Sequence, residues 1–428
     1  MTGGSTNGAV PSIWNTRAQG ACRRHRNHDS GNAIATFTRE PSTGALTPAG
    51  CIEDDGGAEG CGASTLGLGD ATAVTVSPDG RSVYATAFGD GAIVVFARDP
   101  STGALTSAGC IDDPDLANDA CAANAQGLHG ASAVVVSPDG KSVYVGSNAD
   151  ATLVRFDRDP ATGALTDRGC IADDQINQPA VCPTTQSGLG VIPSMAMSQD
   201  GRSIYTISWA TSSLASFDRD LATGAVTGAG CINDNDNPPG SASCATSADG
   251  LASPNAVAVS PGGDSVYVLS GGADDAVVRF ARAQNGSLTA AGCVDDAGDG
   301  PGNCVASTEG LNGVIAAAPS PDGRFLYTVA GEDQAVATFD TDLKPPETEI
   351  KNGPKKETSK RRARLVFSAD EPGSTFECKL DKSGFKSCSS PFKKKVSLDS
   401  KHKFRVRALD ASGNVDSTPA KWTWKVVD

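Results

Sequence analysis

Apolar residues in the first 340 positions fall into short runs, four to a unit, and the unit recurs. In one copy, apolar and β-branched residues fill 133–136, and the turn Ser137-Pro138-Asp139-Gly140 follows. Further runs occupy 142–146, 152–156 and 164–171. Proline presets φ near the value a tight turn needs, and glycine accepts a positive φ. Matching turn serines stand at Ser77, Ser198, Ser260 and Ser320, a period of 60 to 62 residues. Short strands between regular turns indicate an all-β sandwich, barrel or propeller. Four strands per repeat point to a propeller blade. The remainder of this unit, about 118–130, reads as a loop.

The same positions recur in every copy. Tyr84, Tyr144, Tyr205, Tyr267 and Tyr327 each lie seven residues after a turn serine. Phe37, Phe96, Phe156, Phe217, Phe280 and Phe339 close the third strand of six copies. Rings demanded once per repeat are read as packing between repeats, supplying core volume in a chain otherwise rich in Ala and Gly.

From Gly31 to about Cys61 the chain supplies only a third and a fourth strand, and the last set, turning at Ser320, stops by Asp342 without a fourth. The expected fold is a β-propeller of four-stranded blades over 31–342, five to seven in number. Counting back from Phe37, a turn is due near 18–21 and a tyrosine near 25, but the sequence there is AQGACRRHRNHDSG. Residues 1–30 are therefore left unassigned, as mistranslated or truncated, and Cys22, His25 and His28 receive no chemistry. The segment 343–354, LKPPETEIKNGP, reads as a linker. Alternating apolar and polar residues over 355–428 read as a β-sandwich.

Cysteine changes the picture. Five local pairs recur with the repeat: Cys51 with Cys61, Cys110 with Cys121, Cys170 with Cys182, Cys231 with Cys244, and Cys293 with Cys304. Cys378 and Cys388 form a sixth pair in the last part. Their spacing drifts while the first cysteine stays 13 or 14 residues beyond the strand phenylalanine. That suits disulfides closing loops, each worth about 3 kcal/mol of loop entropy. Zinc would want closer ligand pairs or partnering histidines. Disulfides imply an oxidising compartment, so an extracellular or cell-surface location is expected, although 1–30 show no apolar signal region. No stretch is long and apolar enough to span a membrane.

Charge divides the chain. Residues 344–428 hold 20 Lys and Arg against 11 Asp and Glu, a balance of +9, so the rest carries −23 of the total −14. The acidic part argues against nucleic acid as a partner. The basic part fits an anionic cell-envelope polymer, or simply a solvated basic face.

The best polar constellation lies three residues after each repeat's first cysteine: Asp54, Asp113, Asp173, Asp234 and Asp296. As a ring of loop carboxylates it would bind calcium, a cation that takes several oxygen ligands. The alternative is that each Asp caps a turn beside its disulfide. His129 is the one histidine in the repeats, and no Ser-His-Asp order, P-loop or dinucleotide fingerprint is present. No catalytic residue is assigned.

The pattern SPDGKSVYV (137–145), followed by a strand ending in Phe156 and the turn Thr162-Gly163-Ala164-Leu165-Thr166, resembles the YVTN-type lactonase-like β-propellers. That group includes bacterial 6-phosphogluconolactonase. The resemblance covers about 31–342 and implies the propeller fold; the stapled insertion in each repeat departs from the family's shorter unit. The pattern FECKLD…SCSSPF…FRVRALDASGNVDSTPA…W resembles bacterial Ig-like modules, related in shape to fibronectin type III, and implies a spacer or attachment module. The expected function is a secreted or surface non-catalytic binding or scaffold module for protein or glycan ligands. The alternatives are a lactonase-like hydrolase of sugar lactones and a calcium-stabilised structural spacer.

Overall fold

The computed structural model describes residues 32–57, 59–116, 121–175, 182–236, 244–298, 304, 306–341, 345–371, 373–410 and 414–428. Residues 1–30, left unassigned above, lie outside the described residues. Among the described residues there is no helix, so none is long and apolar enough to cross a membrane. The chain divides into two compact units, one through Thr338 and one from Phe339 onward.

The first unit is a series of six repeat sheets among the described residues. The third sheet shows the plan. Strands Ala131–Val136, Ser142–Ser147, Thr152–Arg158 and Leu165–Asp173 pair antiparallel in chain order. The turn serine locks the first bend: Ser137 Oγ donates to Asp139 Oδ1 at 2.5 Å and accepts the Ser142 N–H at 3.0 Å. Gly140, at φ 69°, completes that bend.

A fifth strand, Thr184–Gln186, then pairs parallel to the fourth. This differs from the four-strand expectation. The second, fourth and fifth sheets share it, at Ala123–Asn124, Thr246–Ala248 and Ala306–Thr308. The disulfide places it: Cys182, two residues before this strand, is bonded to Cys170 within the fourth strand and brings the chain back beside it. Ala123–Asn124 thus takes two residues from the stretch read as a loop.

The first sheet has strands Ala33–Arg39, Leu46–Asp54 and Ala63–Thr65, the counterparts of the third to fifth strands elsewhere. The sixth has Val314–Pro319, Phe325–Ala330 and Ala335–Asp340, the counterparts of the first three. Consecutive sheets pack through their innermost strands: Ala71–Val76 on Ala131–Val136, then Ser194–Met197, Pro254–Val259 and Val314–Pro319. Small and β-branched residues there allow the close approach. Among the described residues the first sheet does not pack against the sixth in this way.

The core is consequently a set of slabs between sheets. Tyr84, Ile93 and Val95 of the second sheet meet Val134, Val145 and Phe156 of the third. Tyr144 joins Ile204 and Phe217 in the next slab, and Tyr205 joins Val266 and Phe280 in the one after. Tyr84, Tyr144 and Tyr205 thus pack between sheets, whereas Tyr327 of the sixth sheet is exposed.

In the second unit, two sheets face each other across one core. One is Thr348–Asn352, Arg362–Ala369 and Phe392–Lys395; the other holds Thr375–Leu380, Ser400–Leu409 and Ala420–Val426. Leu365 and Phe367 from the first meet Phe404, Val406 and Trp424 from the second. The stretch 343–354 was expected to be a linker, but Thr348–Asn352 is a strand paired with Arg362–Ala369. Its Ile350 packs against the core, and this apolar contact draws the segment into the sheet.

Candidate functional site

The chain direction sorts the polar residues of each repeat to opposite ends of its sheet. One end carries the stapled loops, the connectors between sheets and the bend from second to third strand. The other carries the serine turns and the glycine turns between third and fourth strands.

All six sequence-predicted cysteine pairs are disulfides, five at the stapled end and Cys378–Cys388 in the second unit, with Cα–Cα separations of 5.0 to 5.8 Å. The five aspartates do one job each. Asp113 accepts the Asp115 N–H at 2.9 Å and the Leu128 N–H at 2.8 Å. Asp173 accepts from Gln175 at 2.8 Å and Leu189 at 2.7 Å. Asp234 accepts from Asp236 and Leu251, and Asp296 from Gly298 and Leu311. Asp54 accepts the Leu68 N–H at 2.9 Å. All five leucines are fully buried, so each carboxylate anchors the connector that brings an apolar side chain into a slab.

Sequence reasoning missed a second aspartate beside the first. Asp90, Asp150, Asp274 and Asp333 come from the second-to-third bend and hold the next connector amide, at Gly69, His129, Ala252 and Asn312. Their recurrence 13 or 14 residues after the turn serine is readable in the sequence. In the fourth sheet Thr211 stands there instead.

These paired carboxylates perturb one another. Burial, then the Asp113 charge, pushes Asp150 up to about 6, against the opposing pull of the His129 amide and ring. Burial, followed by the charges of Asp234, Asp236 and Asp249, pushes Asp274 up to about 6. Asp54 and Asp234 are raised, chiefly by burial. The His129 ring is half-exposed, with Nδ1 3.8 Å from Asp150. Among the described residues no group of three or more His, Cys, Asp or Glu is arranged to hold a metal ion.

At the other end sits a device the sequence reading did not identify. Arg158, at the end of a third strand, reaches back to the preceding sheet. Its Nε donates to Tyr84 Oη at 2.7 Å, and its Nη2 to Asp79 at 2.9 Å and Ser82 Oγ at 3.0 Å. Tyr84 Oη in turn donates to the Gly163 carbonyl at 2.8 Å. Arg219 repeats this with Tyr144, Asp139 and Gly224, and Arg282 with Tyr205, Asp200 and Gly286. Burial alone would raise Asp79, Asp139 and Asp200, but serine, amide and arginine hydrogen bonds outweigh it and hold all three below the usual carboxylate range.

No protein-family model matches the sequence, and no curated protein matches it. Among solved structures the chain is similar to one from Bacteroides uniformis ATCC 8492 that carries the provisional name 6-phosphogluconolactonase. The TM-score is 0.50 at 17% identity, covering 73% of this chain and 76% of that one. A protein of the same provisional name from Bacteroides fragilis NCTC 9343 gives 0.50 at 16% identity, covering 72% and 73%. The likeness is one of fold: an all-β, lactonase-like architecture.

Proposed function

We propose that this chain is an extracellular or cell-surface binding or scaffold protein without catalytic activity. Its sheets close into a β-propeller, and its second unit is an Ig-like attachment module. One observation carries the reading. The recurring polar residues are spent inside the fold: aspartates on connector amides, arginines on the preceding sheet, cysteines on one another. What varies from sheet to sheet is the stapled loop, its cysteines standing 10 to 13 positions apart. Variable loops on a rigid frame are where ligand contacts reside, and protein or glycan ligands fit such a rim.

The second unit supports attachment to an anionic polymer. Arg362 lies opposite Lys395, and Arg364 opposite Lys393, on adjacent strands. Like charges directly opposite destabilise a sheet, and a polyanion lying across them relieves the repulsion. Binding of this unit to immobilised polyphosphate should weaken steeply with salt.

A second reading, a lactonase-like hydrolase, draws on Asp150: a carboxylate pushed up to about 6 beside His129 suits a general base. The oxidised protein should be inert on a panel of sugar lactones. Turnover of any one, lost in Asp150→Asn, would replace the first reading with the second.

A further inference from the structure

The arginine link between sheets follows a rule. Asp and Tyr of one sheet take the Arg of the next, and the chain obeys this even where it breaks. The fifth sheet's turn reads Ser260-Pro261-Gly262-Gly263, without the aspartate. The strand that would face it ends Phe339-Asp340-Thr341, without the arginine. The aspartate and the arginine of that join are missing together, while Tyr267 remains, buried.

The sixth sheet then restores one half. Asp322 stands in its turn, bonded to Ser320 Oγ and to the Arg324 N–H, with Tyr327 seven residues after the serine. Tyr327 is 42% exposed, whereas Tyr84, Tyr144 and Tyr205 are fully buried. Ile315, Val329 and Val336 are exposed on the same sheet. At the other end of the series, Arg39 follows Phe37 by two residues, as Arg158 follows Phe156, and it is exposed. Gly44, at φ 73°, holds the place of Gly163 in the same Thr-Gly-Ala-Leu turn.

We infer that the sixth sheet docks on the chain's own first sheet, the Arg39 guanidinium binding Asp322 and the Tyr327 hydroxyl while that hydroxyl donates to the Gly44 carbonyl. The inference rests on the propeller reading and assigns the residues of its seam. Charge complementarity selects the occupant, since the sixth sheet offers a carboxylate and the first an arginine in matching register. Tethering both halves to one chain favours this join over one between two chains.

Arg98 is the competing arginine. Its Nη1 donates to Gly80, but its Nε and Nη2, the atoms that reach the preceding sheet in other copies, have no partner among the described residues. It is buried, and the first sheet's Ile34 and Ile52 already pack on that side of the second sheet, against Val94 and Phe96. The sixth sheet would have to displace the first to reach it.

The test is a charge swap in the oxidised full-length protein. Arg39→Asp and Asp322→Arg should each lower the melting temperature of the first unit by about 3 °C, and the double variant should recover most of the loss. No recovery overturns the proposal. So does recovery when Asp322→Arg is paired with Arg98→Asp instead, or a coupling seen only in a concentration-dependent dimer by light scattering. Small-angle scattering of the unsubstituted protein separates the two levels. A closed, compact ring without coupling removes this seam and leaves the propeller standing; an open series of sheets removes both.

Discussion

The two ends of each repeat sheet bury charge in opposite ways. At the turn end an arginine from one sheet meets an aspartate and a tyrosine from the sheet before, as Arg219 meets Asp139 and Tyr144. Opposite charges meet there, and the aspartate is stabilised in its ionised form. At the stapled end aspartates sit beside aspartates, as Asp150 does beside Asp113, and backbone amides, joined at Asp150 by the His129 ring, compensate. One end joins sheets by attraction. The other tolerates repulsion because a disulfide and a buried leucine hold the connector regardless.

The largest expected effect tests that last statement. Reducing the disulfides should remove about 3 kcal/mol per staple, read as a fall in the urea midpoint. A midpoint unchanged by reduction would mean that the carboxylate–amide anchors hold the loops alone. At the opposite end, Arg219→Ala strands the buried side of Asp139 and the Tyr144 hydroxyl, and should cost about 3 kcal/mol. Tyr144→Phe keeps the packing but leaves the Arg219 Nε and the Gly224 carbonyl unpaired, and should cost about 1–2 kcal/mol. Equal losses from the two variants would make the hydroxyl, and not the ion pair, the centre of the join.

The smallest effect is in pH. Asp150 and Asp274 are raised to about 6 in the fold from the ordinary 3.8, so between those values the folded chain binds more protons than the unfolded one. Stability should therefore rise as pH falls from 7 toward 5. The turn-end aspartates are depressed, so their contribution is present above the ordinary carboxylate value and is lost as pH falls through their lower folded values. The melting temperature should pass through a maximum at about pH 5. Asp150→Asn, which keeps an acceptor for the His129 N–H, should flatten the rise on the alkaline side; an unchanged profile would assign it to other groups.

Much of this was legible in the chain. The turn serines, strand phenylalanines and cysteine pairs set the sheets and staples, because each acts within its own unit. The arginine link was not read, though Arg98, Arg158, Arg219 and Arg282 recur plainly. Its partners lie 74 to 82 residues away, one sheet back, beyond any pattern inside one unit. The fifth strands escaped because two or three small or polar residues make no apolar run, and a covalent bond places them beside the fourth strand. The strand Thr348–Asn352 escaped because Pro345 and Pro346 beside it read as a linker, while its single apolar residue, Ile350, forms no run.

The missing pair at Gly262 and Thr341 has a consequence for how such a gene can grow. A repeat copied whole carries an arginine for its predecessor and an aspartate and tyrosine for its successor. Any interior copy therefore fits between any two others, and duplication can lengthen the array without inventing a new join. A copy placed after the fifth sheet would arrive with an arginine and find Gly262 where its acceptor should be. That boundary is where the array stops being interchangeable, and repeat number should vary upstream of it.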